Sequence, residues 1–272
     1  MNIKRYIATI ILAIVLLLNF SCTDWLDVKP VDRMSEDQLY STEAGFRQAL
    51  NGIYVELNHA DLYGDELLVN TVEILAQRYK FSSMGTLTNQ YHLAEFDYTT
   101  DYAKKCGSRI WEKALIANVN KLLKNADSHK DLFTGDSYDL ITGEAYALRA
   151  FLHFDLLRLF GPVYKTHKED KSICYNTQFS LSGSDLLPAS KVMEYVIADL
   201  KEAEDRLAKD PIIEEGPLLS DGATEEEDFW RYRSLRLNYY AVKALQARAY
   251  LYAEMNEDAL EAARTVVAVQ EK

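Results

Sequence analysis

The chain has 272 residues, 48% of them hydrophobic, with 18 tyrosines and a formal net charge of −12. This length and apolar content permit a substantial core and exclude a chain that is disordered throughout. The acidic balance repels phosphate backbones, and no cluster of lysine and arginine with interleaved aromatic residues offsets it, so we exclude nucleic-acid binding.

The first 22 residues have the layout of an export signal. Residues 1–5 are basic, and the apolar stretch that follows ends at Ser21-Cys22. That stretch is shorter than the roughly 20 residues that span a bilayer, and a small residue before cysteine is typical of a lipoprotein cleavage site. We predict a signal peptide over residues 1–21, acyl chains such as palmitate on Cys22, and a tether over residues 22–34. The alternative interpretation is an uncleaved helical anchor.

The body, residues 35–272, is predicted to be all-α. Glycine and proline are scarce, Ser35 and Thr42 are suited to helix N-caps, and apolar residues recur at helical spacing. We predict helices over residues 43–59, 65–78, 101–126, 136–160, 192–207, 229–252 and 257–269. Gly161-Pro162 ends the fourth of these helices. Residues 79–100 lose the periodicity and are predicted to form a long, aromatic loop region.

The last two predicted helices form a hairpin that turns at residues 254–256. Its small and aromatic positions, Ala247, Tyr250 and Ala259, have spacings used in tetratricopeptide repeats. Small residues let paired helices approach closely, and the aromatic ring fills the gap between them. The pattern predicts a helical repeat scaffold.

Four segments in order resemble the SusD/RagB family of nutrient-binding proteins. The segment after the signal reads CTDWLDVKP (residues 22–30), and the longest match reads GEAYALRAFLHFDLLRLFGPV (residues 143–163). Residues 196–204 and 236–252 resemble the two helices that follow in that family. Together the four segments extend over most of the chain.

This resemblance implies a right-handed tetratricopeptide-like scaffold that is lipid-anchored on the outer face of the outer membrane. It also implies binding of oligosaccharides or other nutrients without catalysis or a cofactor, and partnership with a SusC-like TonB-dependent transporter. Family members commonly continue beyond the repeats, so we expect the family's C-terminal part to be missing here. Tyr164 and Ala189 stand where the family often has proline and arginine, so we expect the loop over residues 161–190 to differ.

Sugar binding requires flat aromatic faces and amide or carboxylate groups, usually presented on loops. The 79–100 region supplies these residue types. The candidate ligand-binding residues are Tyr79, Phe81, Asn89, Tyr91 and Tyr98. The alternative is that these rings pack the loop against the helices.

Three further groups of residues have two interpretations each. Arg149, His153 and Asp155 line a binding groove or form buried polar pairs. Residues 225–228, four consecutive acids, bind calcium or form a solvated acidic turn, although they lack the spacing of a calcium loop. Cys106 and Cys174 form a disulfide or remain free.

No catalytic motif accompanies these residues. The sequence has no GxSxG, HExxH, Walker A or GxGxxG pattern, and its five histidines form no cluster with metal-ligand spacing. We therefore predict a protein that is not an enzyme and has no metal or cofactor. A tetratricopeptide-type scaffold that binds only protein, without glycan, is the alternative function.

Overall fold

The computed structural model describes residues 35–81, 87–112, 115–178, 184–217, 229–230 and 232–270. Within these ranges the chain is helical, with one isolated bridge between Lys171 and Pro188 and no strand. The helices are α1 (Glu36–Leu39), α2 (Glu43–Leu57), α3 (Thr71–Leu75), α4 (Thr88–Ala94), α5 (Asp101–Glu112), α6 (Ile116–Ser128), α7 (Ser137–Phe160), α8 (Tyr164–His167), α9 (Ala189–Arg206), α10 (Ile212–Glu215), α11 (Tyr239–Tyr252) and α12 (Asn256–Gln270). The all-α prediction is confirmed, whereas the signal, the tether, Cys22 and the acidic run 225–228 lie outside the described residues.

The two predicted N-caps are present. Ser35 Oγ accepts a hydrogen bond from the Gln38 amide (3.2 Å), and Gln38 Oε1 accepts one from the Ser35 amide (3.1 Å). This reciprocal pair is a capping box, which satisfies donors that a helix start otherwise leaves unpaired. Thr42 Oγ1 accepts from the Gly45 amide (3.2 Å) and starts α2 in the same way.

Helix α7 is the central element of the described fold. Its residues are buried on most of its circumference, as expected for a helix that packs against neighbours on more than one side. One core cluster joins α7 to α9 and α11, and a second joins α7 to α2 and α6. The predicted end of this helix is confirmed, because the Gly161 amide closes it on the Leu157 carbonyl (2.8 Å).

Gly143 lets α7 approach the end of α9 closely. A Cβ atom at this position would lie 2.8 Å from Leu207 Cγ and 3.1 Å from Arg206 Cβ, and Leu207 is fully buried. We expect Gly143→Ala to lower the free energy of unfolding by about 1 to 3 kcal/mol, because overpacking outweighs the gain in helix propensity. Gly52→Ala on α2, where a Cβ would have no neighbour within 4 Å, is the matched control. Urea denaturation should show the control stabilised by about 0.5 to 1 kcal/mol, and two changes of the same sign would contradict the argument.

The predicted helix over residues 65–78 is wrong in extent. Only α3 is helical, and residues 60–69 form hydrogen-bonded turns instead. The Tyr63 and Glu66 amides bond to the Leu57 and Ala60 carbonyls, six residues earlier (both 3.0 Å), which a regular α-helix does not allow. The turns pack Leu62 and Tyr63 into the cluster beside α7, so tertiary packing overrides the helical spacing.

Three other predicted boundaries need correction. The helix predicted over residues 101–126 divides into α5 and α6, because Leu115 adopts a left-handed conformation (φ +56°) that a right-handed helix cannot continue through. The region 79–100 is not all loop, since it contains α4. Helix α11 begins at Tyr239 rather than near residue 229, because Asn238 Oδ1 caps it by accepting from the Ala241 amide (2.8 Å).

The final hairpin has the predicted form, and the two interpretations of the cysteines can be decided. Helices α11 and α12 turn at Glu254 (φ +62°), and Tyr250, Ala259 and the partly buried Ala247 pack together as the repeat-like spacing predicts. Cys106 and Cys174 are buried and are not joined by a disulfide, so the disulfide interpretation is wrong. None of the helices in the described ranges is both long enough and apolar enough to cross a membrane.

Candidate functional site

Three aromatic rings are exposed between α3 and α5. Tyr79 is 46% exposed, Phe96 51% and Tyr98 56%. Exposed aromatic side chains on neighbouring segments are candidates for a binding surface, because contiguous apolar surface marks interaction sites. We call Tyr79, Phe96 and Tyr98 the aromatic surface.

Hydrogen bonds hold the segments of this surface together. The Tyr79 hydroxyl donates to the Val69 carbonyl (2.8 Å), and Gln77 Nε2 donates to the Ala94 carbonyl (2.7 Å) at the end of α4. These bonds connect the turn before α3 to the segment that carries Phe96 and Tyr98. These hydrogen bonds restrict the motion of the segments that carry the rings, which lowers the entropic cost of binding.

Phe96 occupies an unusual backbone position. It follows α4 with φ +58°, a conformation that costs energy for a bulky residue and is usually taken by glycine at a helix C-terminus. Observed backbone strain of this kind is concentrated at functional sites. The sequence prediction missed Phe96 as a site residue, because without a glycine nothing in the local sequence signals a left-handed turn.

Asp97 orders the turn between the two exposed rings of Phe96 and Tyr98. Its Oδ1 accepts from the Thr99 amide (3.0 Å) and from the Thr99 hydroxyl (2.6 Å), and His92 lies 3.4 Å from its other oxygen. The hydrogen bonds from Thr99 lower the pKa of the Asp97 carboxyl, because they favour its charged form. The backbone beneath the rings is thus fixed by a carboxylate.

The five predicted ligand-binding residues differ in how exposed they are and in which of them contact each other. Tyr79 and Phe81 contact each other edge to face, with ring centroids 6.1 Å apart, and Phe81 is half-buried. Asn89 is exposed and Tyr91 half-buried on α4, and residues two apart on a helix point in different directions. Tyr98 is exposed. The structure therefore brings Tyr79 and Phe81 together and does not place Asn89 and Tyr91 on one face.

Arg149 and His153 belong to a buried polar network. Arg149 forms two hydrogen bonds with the Asp199 carboxylate (both 2.7 Å) and one with Asn120 Oδ1 (3.1 Å). The Tyr175 hydroxyl donates to the same carboxylate (2.5 Å). Of the two interpretations, these contacts support buried polar pairs, because the donors of Arg149 are used inside the protein.

His153 fastens the segment before residue 178 to α7. Its ring stacks on Tyr175 with centroids 3.8 Å apart, its Nδ1 lies 2.9 Å from the Arg149 carbonyl, and its Nε2 accepts from the Asn176 amide (3.0 Å). Burial lowers the pKa of His153 to about 3, so the ring is neutral. Burial and Asp199 raise the pKa of Tyr175 well above its ordinary value, so the phenol stays protonated.

A second buried network surrounds Arg233. Its guanidinium donates to both oxygens of Asp210 (2.9 and 2.6 Å) and to Glu144 on α7, and it is 1% exposed. Glu144 also accepts from the Tyr54 hydroxyl of α2 (2.6 Å). Burial alone would lower the pKa of Arg233, but Glu144 and Asp210 outweigh it and raise that pKa. The network joins α7 to three other parts of the chain.

Asp155, the third polar residue of the predicted groove, lies nearer the surface. The Tyr63 hydroxyl donates to its Oδ2 (2.8 Å), and Arg158 and Arg248 approach its Oδ1. It lies outside the Arg149 network described above. In the described part of the chain, no group of three or more histidine, cysteine, aspartate or glutamate side chains is arranged to hold a metal ion.

Comparisons with known proteins agree on one family. The SusD-like family, described as "Starch-binding associating with outer membrane", matches residues 24–251. SusD-like protein P2 of Formosa agariphila is 26% identical over 208 residues, which cover 75% of this chain and 38% of that protein.

Two SusD structures show the same fold. One, a SusD-like carbohydrate binding protein of Bacteroides vulgatus, gives a TM-score of 0.64 at 20% identity, over 84% of this chain and 45% of the other.

The second structure is a SusD superfamily protein of Bacteroides fragilis, with a TM-score of 0.63 at 17% identity over 84% of this chain and 50% of the other. The predicted tetratricopeptide-like helical fold is confirmed by these matches. The chain spans at most about half the length of these relatives. Because the family match extends over most of its residues, the chain belongs to the SusD-like family.

Proposed function

We propose that this chain binds glycans at the cell surface and passes them to a SusC-like TonB-dependent transporter, as a lipoprotein anchored through Cys22. The aromatic surface carries the proposal for binding, because its exposed rings suit the apolar faces of sugars. Membership of a family described as starch-binding and outer-membrane-associated supports it. The roles of Phe81, Asn89 and Tyr91 as further contacts remain predictions.

We expect the purified chain to bind a linear α-glucan such as maltoheptaose, and Phe96→Ala and Tyr98→Ala each to weaken the affinity about five- to tenfold. Loss of a stacking ring costs on the order of 1 kcal/mol, and about 1.4 kcal/mol corresponds to a factor of ten. Isothermal titration calorimetry measures the affinities. A panel of neutral oligosaccharides extends the test beyond α-glucans.

Tyr232→Ala is the matched control, because Tyr232 is an exposed tyrosine outside the aromatic surface. Its affinity should equal that of the wild type. Equal losses in all three variants, or unchanged affinity in Phe96→Ala and Tyr98→Ala, would exclude the aromatic surface as the binding site. If no oligosaccharide binds and a partner protein does, the scaffold alternative is favoured.

We expect the full chain to fractionate with the outer membrane of a Gram-negative host that encodes SusC-like transporters, and a tag on it to co-purify such a transporter. The Cys22→Ala variant should be released from the membrane fraction and lose the transporter, because acyl chains supply about 0.8 kcal/mol per buried CH₂. Membrane fractionation and mass spectrometry of the purified material measure both. A variant that stays on the membrane would contradict anchoring at Cys22, and wild type that purifies without a barrel would contradict the partnership.

A further inference from the structure

Two arginines from different helices meet at one carboxylate. Arg158 Nη1 of α7 donates to Asp155 Oδ1 (3.0 Å), and Arg248 Nη2 of α11 lies 3.6 Å from the same oxygen. Both guanidinium groups also lie over the ring of Phe154, at 5.8 and 5.7 Å from its centroid. The two cations therefore share one carboxylate oxygen and one aromatic ring. We call Arg158 and Arg248 the arginine pair.

The arginine pair keeps most of its hydrogen-bonding capacity. Each guanidinium has five N–H donors, and within the described residues Arg158 uses one of them while Arg248 forms an ion pair without a hydrogen bond. Their side chains are 43% and 49% exposed. One carboxylate cannot balance two cations, so this place carries a net positive charge on a chain whose overall charge is −12.

The helix that carries it favours a cation at only one member of the pair. Arg158 lies in the last turn of α7, where a cation is favoured by the helix dipole and by a partner three residues earlier. Arg248 lies inside α11 and has neither advantage. Phe154 is buried and contacts Tyr252 edge to face (5.3 Å), so the surface under both guanidinium groups is rigid.

The arginine pair is connected to the aromatic surface through one segment. Tyr63 donates to Asp155, and Val69, a few residues later in the same run of turns, accepts from Tyr79. Phe160 also lies against Gly107 of α5, so the end of α7 supports the helix that follows the aromatic surface. The turns over residues 63–69 therefore link the two places along the chain.

We propose that the arginine pair binds the carboxylate of a uronic acid, which makes the chain prefer acidic glycans over neutral ones. Arginine matches a carboxylate with two parallel N–H···O bonds, and a pair that already shares one anion gains from a second. This inference rests on the proposed function and adds the substrate class to it. Tyr63 and Asp155 act as positioning residues, since they hold the pair in place.

The test compares a hexamer of galacturonic acid with its fully methyl-esterified form, which has the same sugar chain without the charges. We expect the purified wild type to bind the acidic hexamer about tenfold more tightly in calorimetry. Arg158→Gln and Arg248→Gln should each remove most of that preference, and Arg248→Lys only part of it, because lysine keeps the charge but loses the planar fork. Raising the salt concentration should reduce the preference, since the site is exposed.

Arg264→Gln on α12 is the matched control, because Arg264 is an exposed arginine that is not part of the pair. It should keep the full preference, and an equal loss in this control would overturn the proposal in favour of a general charge effect. Equal binding of the two hexamers by wild type would overturn it while leaving glycan binding intact. If neither hexamer nor any neutral oligosaccharide binds, the proposed function itself fails. Circular dichroism melts confirm that each variant is folded.

Discussion

We expect Arg233→Ala to lower the free energy of unfolding by about 3 to 5 kcal/mol, the range for breaking a buried ion pair by removing one partner. The side chains of Glu144 and Asp210, which Arg233 bonds, are fully buried. Removing the cation takes from Asp210 its guanidinium partner and leaves Glu144 with the more distant Arg236 (3.5 Å), in a medium where a poorly paired charge is costly. Urea denaturation at pH 7, followed by circular dichroism, measures the change.

The destabilisation caused by Arg233→Ala should also extend to the start of α11. Asp210 accepts from the Tyr239 amide (3.1 Å), and the Arg233 carbonyl accepts from Asn238 Nδ2 (2.9 Å), so the network fixes the residues that cap this helix. Arg264→Ala, an exposed arginine, should change the stability by no more than about 0.5 kcal/mol. A loss below about 1 kcal/mol for Arg233→Ala would show that the two acids are neutralised or hydrated without their cation.

Sequence reasoning predicted the elements whose signals are local. The cap at Thr42, the stop at Gly161-Pro162 and the hairpin turn near Glu254 each depend on a few neighbouring residues, and each is present. Helix α7 was predicted nearly to the residue, because a long run of strong helix formers lies between two breakers. These local conformational preferences are realised in the folded structure because the tertiary packing favours the same conformations.

The failures occur where distant contacts decide the local conformation. Residues 65–69 belong to a predicted helix, but packing of the preceding turns against α7 and the bond from Tyr63 to Asp155, 92 residues away, favour turns. The helix is interrupted at Leu115, where there is no glycine or proline, so the local sequence does not predict the interruption. A single sequence contains no information on which distant residues will meet at such positions.

The candidate site shows the same division. Its residue types were visible in the sequence as a concentration of aromatic residues, but which rings face solvent depends on the backbone. Phe96 is exposed because of a left-handed turn, whereas Phe81 is half-buried against Tyr79. Likewise the bond between Arg233 and Glu144 joins residues 89 apart, and neither residue stands out in the sequence.

The two buried networks explain how a helical scaffold controls its connecting segments. Glu144, Arg149 and His153 all project from α7. Glu144 holds the segment of Arg233, whereas Arg149 and His153 both hold the segment before residue 178, through the Thr177 carbonyl and the Asn176 amide. A hydrogen bond requires a defined direction as well as a short distance between its partners, whereas apolar packing requires only contact. The segments that these side chains hold therefore have defined positions. The scaffold and its surface segments are therefore coupled through a few side chains of one helix.

We expect the stability of the chain to fall as the pH drops from about 6.5, with His153 contributing about 1.4 kcal/mol per pH unit. In the folded state its Nε2 accepts from the Asn176 amide, which a protonated ring cannot do, and burial lowers its pKa to about 3. In the unfolded chain a histidine takes up a proton near pH 6.5. Between these two values the unfolded state binds more protons, so acid favours unfolding.

Urea denaturation at pH 6.5 and pH 5.0 measures this contribution, which should amount to about 1.6 kcal/mol, because the unfolded histidine is half protonated at the upper pH. Carboxylates also titrate as the pH falls, so the comparison that isolates His153 is the change in the same pH interval for His153→Gln. That variant should start less stable and lose about 1.6 kcal/mol less than the wild type. His167→Gln, at an exposed position, should behave like the wild type. If His153→Gln loses as much stability as the wild type, the acid sensitivity comes from other groups and the buried ring accepts its proton without unfolding.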